Sequence, residues 1–204
     1  MLERPWESFR KKKLIQIFTD KNKIVDIGGG LRIDATKNNR DKKEHVWLEP
    51  YMEKVDYVVL DKSPDYNPDL VGDIRDLPFE DNSVEAIICI AVLEHVEEPQ
   101  KAVREMYRVL KPGGYCFIYA PFLFYYHPMK GYYKYFYRFT RDGYEYMTKD
   151  FSHVEIQNVR GSLATVMNLF PFLSKRTGWF DYLDKIFGKQ TSNQTSGYDV
   201  FCIK

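Results

Sequence analysis

Residues 85–120, EAIICIAVLEHVEEPQKAVREMYRVLKPGGYCFIYA, decide the fold. The stretch begins and ends with apolar runs of strand length, 85–90 and 115–120, and runs this apolar are typical of a sheet covered on both faces. Between them, Pro99 occupies a favourable first helical position, and the KPGG turn at 111–114 ends the helix. A strand, a helix and a second strand in direct succession predict a right-handed crossover within a parallel sheet.

Similar apolar runs on either side extend this pattern to seven strands. The other five are 24–27, 57–60, 71–74, 153–159 and 198–203, of which 71–74 is the weakest. A helix from about residue 6 to residue 18 is expected to pack onto the first strand. The polar stretches 32–45 and 190–197 are predicted to be loops. Neither a repeat nor a second domain is visible, so residues 1–204 are predicted to form a single α/β domain.

The near balance of charge argues against a nucleic-acid-binding surface. Thirty basic and 29 acidic residues leave a net charge of +1, and the basic runs at 10–13 and 37–43 are interpreted as solvated faces. Cys89, Cys116 and Cys202 lie among apolar neighbours and are predicted to be buried thiols in a reducing compartment. Because the N-terminus lacks the apolar core of a signal peptide and no run is long enough to span a bilayer, a cytoplasmic protein is predicted.

The first strand leads directly into a glycine-rich loop in the stretch IVDIGGGLRID, residues 24–34. Glycines allow the backbone to approach a ligand closely, although a plain tight turn has the same composition. In the dinucleotide pattern G-x-G-x-x-G, counted from Gly28 and Gly30, the third glycine falls where this chain has Ile33. Asp26 also suits a ligand with a positive amino group better than a pyrophosphate.

Two further carboxylates follow predicted strands. Asp61 comes directly after the run at 57–60, where a carboxylate can accept hydrogen bonds from vicinal ribose hydroxyls. Asp73 lies in the stretch GDIRDLPF, 72–79, and can accept from an exocyclic amine, while Ile74 can pack on a purine. Each site on its own also fits a capped turn. Ligands of open α/β sheets bind at the carboxyl ends of the strands, so the agreement in position matters more than any one motif.

Together these motifs resemble one family. VDIGGG, VVLD and the stretch from VGDIRDLPF through LEHV to RVLKPGG are similar to the successive motifs of class I S-adenosylmethionine-dependent methyltransferases, in the group of the ubiquinone/menaquinone-type C-methyltransferases. The resemblance covers about residues 24–122 and is most specific over 72–121. It implies a Rossmann-like three-layer sandwich with a seven-stranded, mostly parallel sheet whose last strand is antiparallel. It also implies S-adenosyl-L-methionine as the cofactor.

The resemblance assigns roles around that cofactor, residue by residue. Asp26 and the loop glycines would hold the methionyl part, Asp61 the ribose, Asp73 and Ile74 the adenine, and Ala91 and Leu93 the wall beside the sulfonium. The predicted cofactor-binding set is Asp26, Gly28, Gly29, Gly30, Asp61, Lys62, Asp73, Ile74, Ala91 and Leu93. Lys62 stands where the family often has an apolar residue, so its stem would cover the adenine. Arg32 replaces the last loop glycine, and the stretch from Asp26 to Asp61 is longer than usual.

The acceptor side is predicted from residues 123–150. Here the chain resembles a segment "H…DYYRFT…G" of methyltransferases associated with glycan biosynthesis, with Tyr135 in place of the aspartate. His127 is the candidate base or substrate contact, Arg138 the candidate for orienting an anionic or polyhydroxyl group, and Tyr137 a stacking wall. Alternatively His127 caps a turn, Arg138 pairs with Asp142 or Glu145, and the aromatic residues form a small core. His95 is interpreted as structural, and no metal site is predicted.

The segment 162–189 is apolar, with basic residues interspersed. It is predicted to be core or a lid, with a homodimer face and a peripheral membrane contact near a lipid-linked substrate as alternatives.

The sequence therefore predicts a methyltransferase acting on a small-molecule, glycan or lipid-linked acceptor, with O-methylation favoured. A non-catalytic S-adenosylmethionine-binding module is the alternative that Arg32 and Tyr135 leave open. A nicotinamide-dependent oxidoreductase is disfavoured by Asp26 and by the missing glycine spacing.

Overall fold

The computed structural model describes residues 4–29, 46–170, 172 and 177–204. Seven strands form one sheet: β1 (Lys23–Ile27), β2 (Asp56–Asp61), β3 (Leu70–Val71), β4 (Val84–Ile90), β5 (Leu110–Pro121), β6 (His153–Val159) and β7 (Gly197–Ile203). Their order is β3-β2-β1-β4-β5-β7-β6. Only β7 runs antiparallel to its neighbours β5 and β6, whereas the other pairs are parallel. The predicted fold class is confirmed.

Six α-helices accompany the strands in the part of the chain that is described: α1 (Pro5–Asp20), α2 (Glu49–Met52), α3 (Pro99–Val109), α4 (Arg141–Met147), α5 (Ser162–Asn168) and α6 (Thr177–Ile186). The predicted helices at 6–18 and from Pro99 are therefore present. None of these helices combines the length and the apolar character needed to cross a bilayer.

The start of β5 differs from the expectation that KPGG is a simple turn. Leu110 already pairs with Val84 of β4. After a register shift, the next residue of β5 to pair with β4 is Tyr115, which lies opposite Ala86. The intervening residues bulge out of the ladder, and Gly113 takes a φ of 74° that glycine adopts without strain. The strand therefore begins five residues earlier than predicted. The predicted strand at 71–74 is also displaced, because only the two residues of β3 pair with β2.

Two hydrophobic cores cover the two faces of the sheet. Successive residues of one strand point to opposite faces, so Ile24 packs with α1 while Val25 packs with α3. Cys89, Cys116 and Cys202 are all buried and not in disulfides, as predicted. Burial raises the pKa of all three thiols, which makes them unreactive core residues. The arrangement is the expected three-layer sandwich.

Glu85 ties the amino-terminal edge of the sheet together and gives a stability prediction. Its carboxylate accepts a hydrogen bond of 2.9 Å from Lys111 and one of 2.8 Å from the backbone N–H of Asn22, and these lower its pKa to about 2. Because the pKa of Glu85 is lowered, its carboxylate stabilises the fold at pH values above the ordinary pKa of 4.5. This stabilisation is lost as the pH falls toward 2. Because the side chain is partly exposed, we expect Glu85→Gln to cost only about 1 kcal/mol at pH 7.

Chemical denaturation at several pH values measures this effect. The difference between wild type and Glu85→Gln should shrink steadily below pH 4.5. Glu80→Gln, at an exposed glutamate, is the matched control and should change little. A Glu85→Gln deficit that is unchanged down to pH 2 would show that lost packing, and not lost charge, causes it.

Candidate functional site

Asp26 lies on β1, one residue before its end, and is completely buried. It stands in register with Val59 of β2 and Ile88 of β4, and the strand order reverses between its own strand, β1, and β4. The hydroxyl of Tyr57 donates a hydrogen bond to Asp26 Oδ2. Sequence reasoning did not identify Tyr57, which lies two residues away from Val59 on the same face of β2. The Asp26 carboxylate is therefore held at the carboxyl edge of the sheet.

The loop after β1 folds back over that carboxylate. Gly28 has a φ of 70°, and its N–H donates to the carbonyl of Leu60 over 2.7 Å. A Cβ on Gly29 would lie only 1.4 Å from Asp26 Oδ2, so only glycine leaves room for the carboxylate beneath the loop. The loop backbone and Asp26 thus form one compact unit. The predicted residue Gly30, together with Arg32 and the segment 32–45, lies outside the described residues.

Asp61 is the last residue of β2 and is partly exposed. The backbone N–H of Ser63 donates to its Oδ1 over 2.8 Å. Burial raises the pKa of Asp61 in spite of this hydrogen bond. The Asp61 carbonyl accepts from the N–H of Gly72 over 3.0 Å, which brings the turn that carries Asp73 beside it. The two predicted carboxylates consequently lie on adjoining segments at one edge of the sheet.

The carboxylate of Asp73 is bound by Arg75, a contact that the sequence motifs did not predict. Arg75 donates from Nε to Oδ1 over 3.0 Å and from Nη2 to Oδ2 over 2.7 Å, and this fork holds the pKa of Asp73 well below its usual range. The ammonium of Lys62 lies 3.4 Å from the same Oδ2, although the side chain is mostly exposed. The D-x-R spacing in GDIRD is the signal that could have revealed this pair. A contact of Asp73 with adenine stays a prediction, as does the role of the Lys62 stem.

The residues after β4 form the third part of this edge. Ala91 has a φ of 56°, a conformation that non-glycine residues rarely adopt and that is often found at functional sites. Its N–H donates to the carbonyl of Tyr119 over 2.9 Å. Leu93 and Ile74, by contrast, are buried in the core cluster. The structure places their side chains behind the surface of the edge, so direct contact of either with a cofactor stays a prediction.

The acceptor-side segment docks onto the turn after β4. The N–H groups of Phe136 and Tyr137 donate to the carbonyl of Glu94 over 2.8 and 3.2 Å. The hydroxyl of Tyr137 donates to the carbonyl of Glu97 over 2.9 Å, and Arg138 Nε donates to the carbonyl of Phe124 over 3.1 Å. These contacts hold both predicted residues in place. Their proposed catalytic roles stay predictions.

Among the residues that the structure describes, Arg138 forms no ion pair with Asp142 or Glu145, the alternative partners that the sequence offered. Glu145 is bound instead by Arg141, 3.1 Å away on the same helix. The guanidinium of Arg138 lies over the ring of Tyr135, with its Cζ 5.3 Å from the ring centroid. Tyr135, which stands where the related segment has an aspartate, therefore supports Arg138 by stacking.

His127 belongs to an aromatic cluster that also contains His95. The two imidazole rings meet edge to face with centroids 5.5 Å apart, and Tyr135 packs against both. His127 Nδ1 lies 3.0 Å from the carbonyl of Tyr125. The contact between His95 and His127 has no signal in the sequence, because 31 intervening residues separate the two histidines and no local periodicity links them.

The segment 162–189 is not core over much of its length, contrary to one interpretation of its composition. Phe172 and Trp179 are 76% and 65% exposed. Other large apolar side chains of the segment are also exposed, namely Val166, Leu169, Phe170, Tyr182, Ile186 and Phe187. The buried carboxylate of Asp184 accepts from the N–H groups of Leu163 and Ala164, and this fixes α6 against the start of α5. Lys175 and Arg176 lie outside the described residues.

Comparison with known proteins finds similarity to methyltransferases. Residues 25–118 match the family model described as a methyltransferase domain. A ubiquinone/menaquinone biosynthesis C-methyltransferase of Vibrio cholerae is 36% identical over 101 residues, which are 45% of this chain and 38% of that protein. A demethylmenaquinone methyltransferase of Renibacterium salmoninarum is 51% identical over 45 residues, 22% of this chain and 19% of that protein. The chain thus spans well under half the length of these relatives.

Solved structures match over nearly the whole chain. A S-adenosylmethionine-dependent methyltransferase from Archaeoglobus fulgidus aligns with a TM-score of 0.61 at 14% identity, over 99% of this chain and 95% of that one. A phosphoethanolamine N-methyltransferase of Haemonchus contortus, in complex with phosphomonomethylethanolamine and S-adenosylhomocysteine, gives a TM-score of 0.55 at 14% identity. It covers 94% of this chain and 52% of the other. Likenesses at this level of identity establish the fold.

Proposed function

We propose that this chain, whose residues 25–118 match a methyltransferase domain model, is a class I S-adenosylmethionine-dependent methyltransferase that transfers a methyl group to a small-molecule, glycan or lipid-linked acceptor. The family predicted from the motifs is confirmed by the match of the methyltransferase domain model. One observation carries the proposal: Asp26, Asp61 and the strained Ala91 lie at the carboxyl ends of β1, β2 and β4. These strands are neighbours in the sheet, so one elongated ligand can reach all three positions.

The residues present fit S-adenosylmethionine. The space beneath the loop at Gly29 is filled by a buried carboxylate, which supplies a negative charge for the cofactor's ammonium group. Asp61 offers carboxylate oxygens at the end of the next strand, where ribose hydroxyls can donate to them. When bound, the cofactor would supply an electrophilic methyl group to an acceptor nucleophile, with S-adenosylhomocysteine as the leaving group. The protein's part is to align the acceptor and to exclude water.

The acceptor is proposed to lie against the segment that carries His127, Tyr137 and Arg138. Exposed tyrosine rings border this segment, among them Tyr125, which is 53% exposed, and Tyr126, which is 66% exposed. Aromatic faces beside hydrogen-bonding side chains suit a sugar or a phenolic ring that carries hydroxyl groups. We therefore favour methylation of a hydroxyl oxygen. The exposed apolar side chains of 162–189 support a lid over this region or a contact with a lipid surface.

Calorimetry with S-adenosylhomocysteine tests the cofactor site. We expect Asp61→Ala to weaken binding about 10- to 100-fold, because two hydrogen bonds to a charged group are lost. Burial raises the pKa of Asp61, so its carboxylate becomes protonated at a higher pH than an aspartate of ordinary pKa. As the pH is lowered, the wild-type affinity should therefore begin to fall earlier. Asp65→Ala, at an exposed aspartate on the following turn, is the matched control and should bind normally.

The same experiment separates the alternatives. Binding of a nicotinamide dinucleotide in place of S-adenosylhomocysteine would contradict the assignment. Incubation with methyl-labelled S-adenosylmethionine and fractionated small molecules, glycans and lipids then tests catalysis. Transfer of label to a hydroxyl-bearing acceptor supports the proposal. Tight cofactor binding with no transfer to any fraction would favour a non-catalytic module.

A further inference from the structure

Three side chains that can bind a metal ion converge beside the edge of the sheet where the cofactor is proposed to bind. We propose that Glu94, His95 and His127 bind a divalent transition-metal ion, with Zn²⁺ the ion that fits best. One carboxylate oxygen and one nitrogen from each imidazole lie within 4.8 Å of one another. Glu94 is completely buried and both histidines are partly buried. This site is additional to the methyl-transfer function and does not depend on it.

The hydrogen bonds of both imidazoles favour metal binding through Nε2. His95 Nδ1 lies 2.6 Å from the carbonyl oxygen of Lys134, and His127 Nδ1 lies 3.0 Å from that of Tyr125. A carbonyl oxygen only accepts, so each Nδ1 carries the proton and each Nε2 carries the lone pair. A backbone carbonyl that fixes the tautomer in this way is the usual outer partner of a metal-bound histidine. Both histidines of the cluster have such a carbonyl partner, and this observation is independent of the distances between the three ligand atoms.

The distances are close to those that a metal ion requires. His95 Nε2 lies 3.9 Å from Glu94 Oε1. Two ligands bound at about 2.0–2.2 Å in a tetrahedral site lie roughly 3.4 Å apart, so movements of an ångström or less would complete the site. The backbone around Glu94 is well supported, because its carbonyl accepts hydrogen bonds from Phe136 and Tyr137. A cation here would also compensate the charge of a carboxylate that is taken completely out of water.

The ligand set selects the metal. Two imidazoles and one carboxylate are the ligands of many catalytic zinc sites, and they also suit Co²⁺, Fe²⁺ and Mn²⁺. Ca²⁺ and Mg²⁺ prefer oxygen ligands alone. The ring of Tyr133 packs 4.2 Å from His95 and that of Tyr135 packs 4.6 Å from His127, measured between centroids, so apolar faces surround the nitrogen ligands. Three protein ligands leave at least one coordination position for water or an acceptor oxygen.

This inference changes the role of His127. A nitrogen that binds a metal cannot accept a proton at the same time, so His127 would be a ligand and not the general base predicted from the sequence. If the methyl-transfer proposal holds, a metal ion with an acceptor hydroxyl in its open position would lower the pKa of that hydroxyl, which would then release its proton to water more readily.

Metal binding to the full chain, after treatment with chelator, tests the proposal. We expect one Zn²⁺ per chain in competition with a chromophoric chelator, and Co²⁺ should produce visible absorption bands of low-symmetry coordination. His127→Ala and Glu94→Gln should each weaken Zn²⁺ binding by about 100-fold or more. His153→Ala is the matched control, because His153 is an exposed histidine 3.0 Å from the carboxylate of Glu155. It should leave binding unchanged.

Circular dichroism and S-adenosylhomocysteine calorimetry on the same variants keep the result interpretable. His127 is partly exposed, so its alanine variant should fold as the wild type does. Unchanged Zn²⁺ affinity and Co²⁺ spectrum in a folded His127→Ala protein would overturn the metal site. Equal loss in His153→Ala would also overturn it. A chain that fails to bind metal but binds S-adenosylhomocysteine refutes only this inference, whereas the reverse result refutes only the methyl-transfer proposal.

Discussion

Gly29→Ala is expected to lower the affinity for S-adenosylhomocysteine by more than about 100-fold. The added Cβ would lie 1.4 Å from Oδ2 and 1.6 Å from Cγ of Asp26, which is far inside van der Waals contact. The loop or the buried carboxylate must therefore move, and Asp26 is additionally held by the hydroxyl of Tyr57. Either movement displaces the charge proposed to bind the cofactor's ammonium group. Isothermal calorimetry measures the loss directly.

The control for this variant is Gly178→Ala. A Cβ on Gly178, which lies in α6, meets no atom within 4 Å, so the substitution should leave both stability and cofactor affinity close to wild type. Thermal unfolding of both variants separates a local effect on the loop from a general loss of structure. Wild-type affinity in Gly29→Ala would show that the loop and Asp26 do not form the cofactor site.

Arg10→Ala is expected to lower the free energy of unfolding by about 3–5 kcal/mol. Arg10 of α1 reaches Asp199 of β7 with its Nη2 2.7 Å from Oδ1, and Asp199 is completely buried. Burial raises the pKa of Asp199 while Arg10 opposes that rise. Without Arg10 the carboxylate stays in the interior uncompensated, so it either destabilises the fold or becomes protonated. A loss of this size is a large fraction of the stability of an ordinary domain.

Urea denaturation measures the change, with Arg141→Ala as the control. Arg141 forms an exposed pair with Glu145 at 3.1 Å, and exposed pairs contribute about 1 kcal/mol or less. Lowering the pH through the raised pKa of Asp199 should narrow the gap between Arg10→Ala and wild type, because a neutral carboxyl no longer requires the guanidinium. Equal effects of the two variants at neutral pH would contradict the importance of the buried pair.

The sequence predicted the strands and the long helices because their signals are local. The runs that became β4, β6 and β7 lie within one residue of the predicted bounds. In β4 and β7, burial on both faces selects largely continuous apolar residues. The start of β5 was missed, because a bulge is decided by pairing with the neighbouring strand and not by the residues of KPGG alone. The sequence left open whether Phe172 and Trp179 are buried or exposed for a similar reason: composition does not report what a segment packs against.

The sequence by itself determined the order of the carboxylates along the chain and their placement after strands, and hence the edge of the sheet where Asp26 and Asp61 lie. Tertiary structure alone decided which groups contact the carboxylates. The hydroxyl of Tyr57 binds Asp26, Gly29 fits closely over that carboxylate, and the guanidinium of Arg75 binds Asp73. Tertiary structure also brought His127 to Glu94 and His95. Periodicity fixes the face on which a residue lies, whereas contacts between distant segments depend on how those faces pack.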